Sequence, residues 1–164
     1  MLKNKIFLGL FLLCGLFAAC EKKKDYDPVT QLEIDKVIIA KYVKDSAITP
    51  VVVHPSGMTY RILATGTGAT PLLTDSIQVS YTARVLGSKN PFETIPVERP
   101  VSLKLDALMK GWQTGLPLIA KGGQIRMFIP STLAYMDFQG SSILPNSILD
   151  YTVTLVDINK KKTK

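Results

Sequence analysis

Residues 108–123 read LMKGWQTGLPLIAKGG, and this stretch decides the fold of the chain. It holds the only tryptophan, Trp112, between two glycines, Gly111 and Gly115, in a short apolar segment with the composition of a helix. A tryptophan in this setting either anchors a hydrophobic core or forms the floor of a binding pocket. The two interpretations can be distinguished from the sequence on either side of this stretch.

Apolar residues recur at every second position on both sides of this stretch, which indicates half-buried β-strands. The strands are predicted over residues 58–64, 77–85, 101–105, 125–129 and 148–158. Residues 86–100 contain three prolines and read as a loop or a broken edge strand. Asp106 is the expected N-cap of the short helix, and a long loop is expected over 131–146. Because no regular alternation of strand and helix occurs, the sequence predicts an α+β domain, an antiparallel sheet with one helix packed on it.

A second helix is predicted ahead of the strands, over residues 31–44. Thr30 and Glu33 form a capping-box pattern at its start. The apolar run VIIA in its middle indicates that the helix docks on another part of the protein. Residues 45–57 contain two prolines and a glycine and read as a connection to the main domain.

The first 20 residues have the pattern of a targeting signal. MLKNK is positively charged, and the apolar run after it is shorter than the roughly 20 residues that a transmembrane helix needs. The run ends in LFAAC, which resembles the lipobox of bacterial lipoproteins, where cleavage leaves the cysteine, here Cys20, as a lipidated N-terminus. An ordinary secretory signal with a chance cysteine is the alternative. Once Cys14 is removed with the signal, Cys20 is the only thiol, so no disulfide can form within the mature chain.

These segments predict an order along the chain and a location in the cell. The expected divisions are a signal peptide at 1–19, a lipidated tether at 20–29, a helix and linker at 30–57, a main domain at 58–159 and a basic tail at 160–164. The protein is expected in the bacterial cell envelope, held to a membrane by the lipid on Cys20 and facing the periplasm or the cell surface.

The formal net charge of +7 belongs to the ends of the chain. Nine lysines lie in the first 24 and the last five residues, and without them 11 basic residues face 13 acidic ones. No basic stripe interleaved with aromatic residues occurs inside the main domain. Nucleic acid is therefore not an expected partner.

The sequence also lacks the residues that most catalytic chemistry requires. His54 is the only histidine and lies in the proline-containing connection, which argues against a catalytic triad or a Cys–His pair. No cluster of His, Cys or carboxylates has the spacing of metal ligands, and no cofactor is expected. Rotation about an X-Pro bond is a reaction that needs none of these groups, because no covalent bond is made or broken. An apolar cleft with one or two tyrosines would suffice for it.

Four motifs, in order, resemble those of the FKBP-type peptidyl-prolyl isomerases. They are VSYTARV at 79–85, PFET at 91–94, LMKGWQTGLPLIAKGGQIRMFIPSTLAY at 108–135 and ILPNSILDYTVTLVDI at 143–158. The resemblance covers about residues 76–158. It implies a strongly twisted antiparallel sheet, a half-barrel wrapped around one short helix, and isomerase (rotamase) activity on proline-containing polypeptides, as a folding catalyst or chaperone for exported proteins.

The resemblance also implies roles for individual residues. Trp112 would be the floor under the substrate proline, and the Met109 N–H and the Tyr135 hydroxyl would hydrogen-bond the substrate. The residues expected to be catalytic are Tyr81, Phe92, Glu93, Trp112, Tyr135 and Tyr151. The residues expected to bind substrate are Val101, Leu108, Met109 and Ile143.

Three departures from the family pattern lie at the pocket. Glu93 stands where the family has Asp, Val101 where it has an aromatic residue, and Met136 where it has glycine. They predict a reduced isomerase activity, with a non-catalytic binding or chaperone module of the same fold as the alternative. The chain is expected to be a monomer, and a lipoprotein that self-associates through helix 31–44 is a third interpretation.

Overall fold

A computed structural model of the chain describes residues 26–159, and the predicted signal peptide, Cys20 and the basic tail lie outside them. The fold has two α-helices, seven strands and three short 3₁₀ turns in this range. The helices are α1 (Pro28–Asp45) and α2 (Lys110–Gly115), and the turns are Leu105–Ala107, Leu116–Leu118 and Ser131–Leu133. The strands are β1 (Val52–Val53), β2 (Thr59–Ala64), β3 (Ser76–Val85), β4 (Glu93–Ile95), β5 (Val101–Lys104), β6 (Gln124–Ile129) and β7 (Leu149–Asn159).

All seven strands form one antiparallel sheet, and six of them follow the order β1-β2-β6-β7-β3-β4. The long strands β3 and β7 lie at its centre and pair from Ser76–Asn159 to Val85–Leu149. β5 also pairs with β3, so two short strands share one edge: β5 lies opposite Ser76–Val79 and β4 opposite Tyr81–Ala83. The predicted α+β class, with a short helix on an antiparallel sheet and a helix ahead of it, is confirmed.

α2 packs closely on the sheet because its two glycines carry no side chain. A Cβ at Gly111 would overlap the side chain of Ile129, and one at Gly115 would overlap the sulfur of Met127, both on β6. Both glycines therefore lie within the helix, where they allow it to pack closely on the sheet, and neither forms a tight turn. Trp112, between them, is 3% exposed and belongs to the main core.

α1 packs against Phe128 of β6, whose neighbours Met127 and Ile129 face α2, and forms a second, smaller core there. Ile39 and Val43 pack there against Phe128 and Ile148, as the apolar middle of the helix predicted. The start of the helix differs from the prediction. Asp27 is the N-cap, and its carboxylate accepts a hydrogen bond from the N–H of Val29 at 3.0 Å. Pro28 at the first helical position explains the shift, because its fixed φ suits that position and it has no N–H to satisfy.

Two other expectations are corrected by the structure. Asp106 lies in the turn Leu105–Ala107, and Met109 is the residue that precedes α2. The side chain of Gln113 donates hydrogen bonds to the carbonyls of Leu108 and Asp106, at 2.6 and 3.0 Å, so it secures the entry to the helix from within. The expected connection at 45–57 contains β1, which is the second correction. The short edge strand β4 within 86–100 agrees with the broken edge strand that was one of the two interpretations of that segment. Neither helix of residues 26–159 has the length and apolar character needed to span a bilayer.

Candidate functional site

Four aromatic rings meet where α2 packs on the centre of the sheet. The ring of Trp112 lies 5.2 Å from that of Tyr81 and 5.4 Å from that of Tyr151, in both cases edge to face. Tyr151 also lies 5.8 Å from Tyr81 and 6.2 Å from Phe92, measured between ring centroids. Edge-to-face pairs at these distances are favourable by about 0.5–1.5 kcal/mol each beyond the area they bury. The four rings therefore form one packed unit, the aromatic cluster.

Local structure places each ring in the cluster. Tyr81 on β3 and Tyr151 on β7 belong to runs whose alternate residues face the main core. Phe92 is held at the entry to β4, because its N–H donates to the carbonyl of Ala83 at 2.9 Å. Trp112 comes from the first turns of α2, where Gly111 lets the helix approach β6. The indole of Trp112 thus contacts the rings of Tyr81 and Tyr151, and Phe92 joins the cluster through Tyr151.

Half-buried apolar side chains surround the cluster and pack against the same core. Among them are all four residues predicted to bind substrate, namely Val101, Leu108, Met109 and Ile143. The backbone at Met109 is of particular interest. Its carbonyl accepts from the N–H groups of Trp112 and Gln113, at 3.0 and 3.2 Å, whereas no carbonyl within residues 26–159 accepts from its own N–H. This N–H is a donor that an external carbonyl group can use.

Three tyrosine hydroxyl groups and a carboxylate supply the polar side of the site. Burial raises the pKa of Tyr151, and the neighbouring Tyr135 raises it further. Burial also raises the pKa of Tyr81, with a second contribution from interaction with the Glu93 carboxylate. Tyr135 is 40% exposed and stands at the edge of the cluster. Tyr81 and Tyr151 are therefore neutral hydrogen-bond donors and acceptors at physiological pH.

The buried indole adds one more donor. Trp112 Nε1 is inaccessible to solvent and has no hydrogen-bond partner within residues 26–159. Buried N–H groups are usually paired, so an unpaired one in the floor of a candidate site is a notable departure. No group of three His, Cys, Asp or Glu in this part of the chain could hold a metal ion.

Of the ten predicted site residues, Tyr81, Phe92, Trp112 and Tyr151 are joined by ring contacts, and the four predicted binding residues pack against the main core to which Trp112 and Tyr151 belong. Glu93 interacts with Tyr81, and Tyr135 interacts with Tyr151. Leu133 and Ala134, which the sequence did not single out, pack on the same core. A separate cavity of about 580 Å³ lies between α1 and the β1 edge, and none of the ten residues lines it.

Comparison with known proteins assigns the chain to a family. A family model of the FKBP-type peptidyl-prolyl cis-trans isomerases matches residues 68–156, a range that contains all ten residues. The chain belongs to this family. A probable FKBP-type peptidyl-prolyl cis-trans isomerase of Haemophilus influenzae is 38% identical over 110 residues, which are 66% of this chain and 46% of that protein.

Two further relatives bear on the fold and on the location. The crystal structure of FkpA from Escherichia coli superposes with a TM-score of 0.68 at 28% identity, covering 80% of this chain and 62% of that one. A Legionella longbeachae protein named outer membrane protein MIP is 32% identical over 111 residues, which are 67% of this chain and 48% of that protein. The chain spans about half the length of the curated relatives it matches.

Proposed function

We propose that this chain is a peptidyl-prolyl cis-trans isomerase that acts on proline-containing segments of polypeptides in the bacterial envelope. The observation that carries the proposal is the indole of Trp112 in edge-to-face contact with Tyr81 and Tyr151. It offers a flat apolar floor of the size of a proline ring, bounded by aromatic edges. Membership in the family supports the same reaction.

The mechanism follows from what the reaction needs. Rotation about the X-Pro amide has a barrier of about 18–20 kcal/mol, because the twisted amide loses its resonance. An apolar cleft that excludes water favours the twisted form over the planar one, and donors for the carbonyl of the residue before proline hold it in place. We assign the free N–H of Met109 and the hydroxyl of Tyr135 as these donors. Glu93 acts indirectly, by orienting the Tyr81 hydroxyl.

The test is the cis-to-trans rate of a Leu-Pro or Phe-Pro peptide with the full chain purified in detergent. Tyr135→Phe removes one hydrogen bond and should lower kcat/KM about tenfold, since tenfold corresponds to about 1.4 kcal/mol. Trp112→Leu should lower it further. Tyr42→Phe removes a hydroxyl from the smaller core and is the matched control, expected to change little. No acceleration over the uncatalysed rate by the unmodified protein would refute the proposal.

A client-binding module without catalysis is the second candidate, favoured by the exposed rim of the site. Met136, Phe138 and Leu144 are large apolar residues that are 47%, 64% and 61% exposed. Such a rim suits the holding of unfolded chains. If this function is the correct one, the double variant Trp112→Leu/Tyr135→Phe should still suppress aggregation of an unfolded client as well as the unmodified protein does.

We also propose that residues 1–19 are removed and that the protein is a monomer anchored to a membrane by lipid on Cys20. The LFAAC sequence and the relative named as an outer membrane protein support the anchor. Cys20→Ser should move the protein from the membrane fraction to the soluble fraction, whereas the matched control Cys14→Ser should not. Light scattering of the detergent-solubilised protein tests the monomer, and a dimer mass would contradict it.

A further inference from the structure

A buried carboxylate joins α1 to the loop that follows β6. Asp35 lies in the middle of α1 and is 0% exposed. Its Oδ1 accepts from the Gln31 side chain at 2.8 Å, and its Oδ2 accepts from both the N–H and the hydroxyl of Ser131, at 2.7 and 2.6 Å. No cation within residues 26–159 forms an ion pair with it. A buried charge satisfied only by hydrogen bonds is unfavourable unless every donor is held in place.

Ser131 in turn organises the segment that carries Tyr135. The carbonyl of Ser131 accepts from the N–H of Ala134 at 3.0 Å and from the N–H of Met136 at 2.8 Å. These two residues flank Tyr135 on either side. The backbone between them is irregular, with Met136 at a φ of +55°. The conformation of Tyr135 therefore depends on where Ser131 is fixed.

Tyr135 is 40% exposed and lacks the enclosed setting of Tyr151. The position of its backbone and its interaction with Tyr151 together set where its hydroxyl lies. Tyr26 lies just ahead of α1. Burial raises its pKa, and the charges of Asp35 and Asp137 raise that pKa further, so Tyr26 interacts electrostatically with both carboxylates.

We infer that Asp35 is a positioning residue for the candidate active site, through which α1 sets the Tyr135 hydroxyl over the aromatic cluster. The link runs from Asp35 to Ser131 and through the Ser131 carbonyl to both neighbours of Tyr135. This inference rests on the proposed function. It makes the N-terminal helix part of the catalytic scaffold, although α1 contributes no residue to the cleft.

Hydrogen exchange of the full chain tests the positioning without reference to activity. Asp35→Ala should speed exchange at the Ala134 and Met136 amides by about tenfold or more, with β3 and β7 amides still protected. Ser131→Ala keeps the N–H donor and should give a smaller change at the same amides. Val43→Ala, a truncation in the smaller core of the same helix, is the matched control and should leave both amides unchanged. Unchanged exchange at the 134 and 136 amides in both Asp35→Ala and Ser131→Ala would overturn the inference.

Kinetics then test whether Asp35 acts through Tyr135. Asp35→Ala should lower kcat/KM about tenfold in the unmodified chain and less than about twofold in the Tyr135→Phe background, because coupled residues are not additive. Asp35→Asn retains one acceptor oxygen for Ser131 and should restore most of the activity. Equal losses in both backgrounds would overturn the inference. If the unmodified protein shows no isomerase activity, the proposed function fails, and the exchange experiment alone decides the role of Asp35.

Discussion

Replacing Gly111 by alanine tests the packing that brings the floor of the site against the sheet. The added Cβ would lie 2.9 Å from Cδ1 and 3.1 Å from Cγ1 of Ile129, and closer still to its Cγ2, where ordinary contacts begin at 3.4 Å. Ile129 is β-branched and fully buried, so it has no free space into which to move. The substitution must therefore shift either α2 or β6.

The magnitude follows from two opposing effects. Overpacking a buried site costs about 1–3 kcal/mol. Alanine is favoured over glycine inside a helix by about 1 kcal/mol. Subtracting the second effect from the first gives, for Gly111→Ala, an expected net loss of about 1 kcal/mol in the free energy of unfolding.

Urea unfolding of the full chain, followed by the fluorescence of Trp112, measures this loss. Gly140→Ala is the matched control, since its Cβ would come no closer than 3.5 Å to any atom. It should be neutral or stabilising by up to about 1 kcal/mol. Ile129→Ala should cost about 2–5 kcal/mol alone, and at least about 1 kcal/mol less in the Gly111→Ala background, where the new methyl group fills part of the cavity. A Gly111→Ala protein as stable as the unmodified one, or equal costs of Ile129→Ala in both backgrounds, would refute the reasoning.

Two further predictions concern Met136 and Tyr151. Met136 has a left-handed φ of +55° where the family pattern has glycine. Met136→Gly should therefore be more stable than the matched variant Met136→Ala by about 1 kcal/mol. Equal stabilities in urea unfolding would contradict this prediction. Burial raises the pKa of Tyr151 in the folded protein, whereas the unfolded chain releases this proton near about pH 10. Tyr151 should therefore not affect the free energy of unfolding at pH 8 and should lower it above about pH 10. There the free energy of unfolding should fall more steeply than in Tyr151→Phe, by up to about 1.4 kcal/mol per pH unit. Parallel pH profiles of the two proteins would contradict this prediction.

The strands could be predicted from the sequence because alternation is a local signal. The run from Ile77 to Val85 differs by one residue from the observed β3, Ser76–Val85. β1 was missed because it has two residues and lies close to prolines on both sides. The capping-box pattern at Thr30 and Glu33 predicts a helix that begins at residue 31, whereas the Asp27-Pro28 pair decides the actual start of α1.

The prediction of the candidate site rested on a different kind of signal from that of the strands. The ten residues came from the resemblance to a family, and the structure adds their mutual geometry; their roles in catalysis stay predictions. Asp35 could not have been found from the sequence. An aspartate in a helix usually faces solvent, and its partner Ser131 lies 96 residues away, so no local pattern announces the contact. Contacts of this kind appear only once the chain is folded.

The two outer edges of the sheet limit how this protein can hold another chain. β1, at one edge, has two residues between Pro50 and Pro55. The other edge is divided between β4, with three residues between Pro91 and Pro96, and β5, with four residues after Pro100. Proline lacks the N–H that an added strand would need, and strands this short offer few groups for pairing. These edge strands therefore disfavour the addition of an extended polypeptide to the sheet. Under the proposed function, a client segment would be bound through its side chains, with its backbone free to rotate.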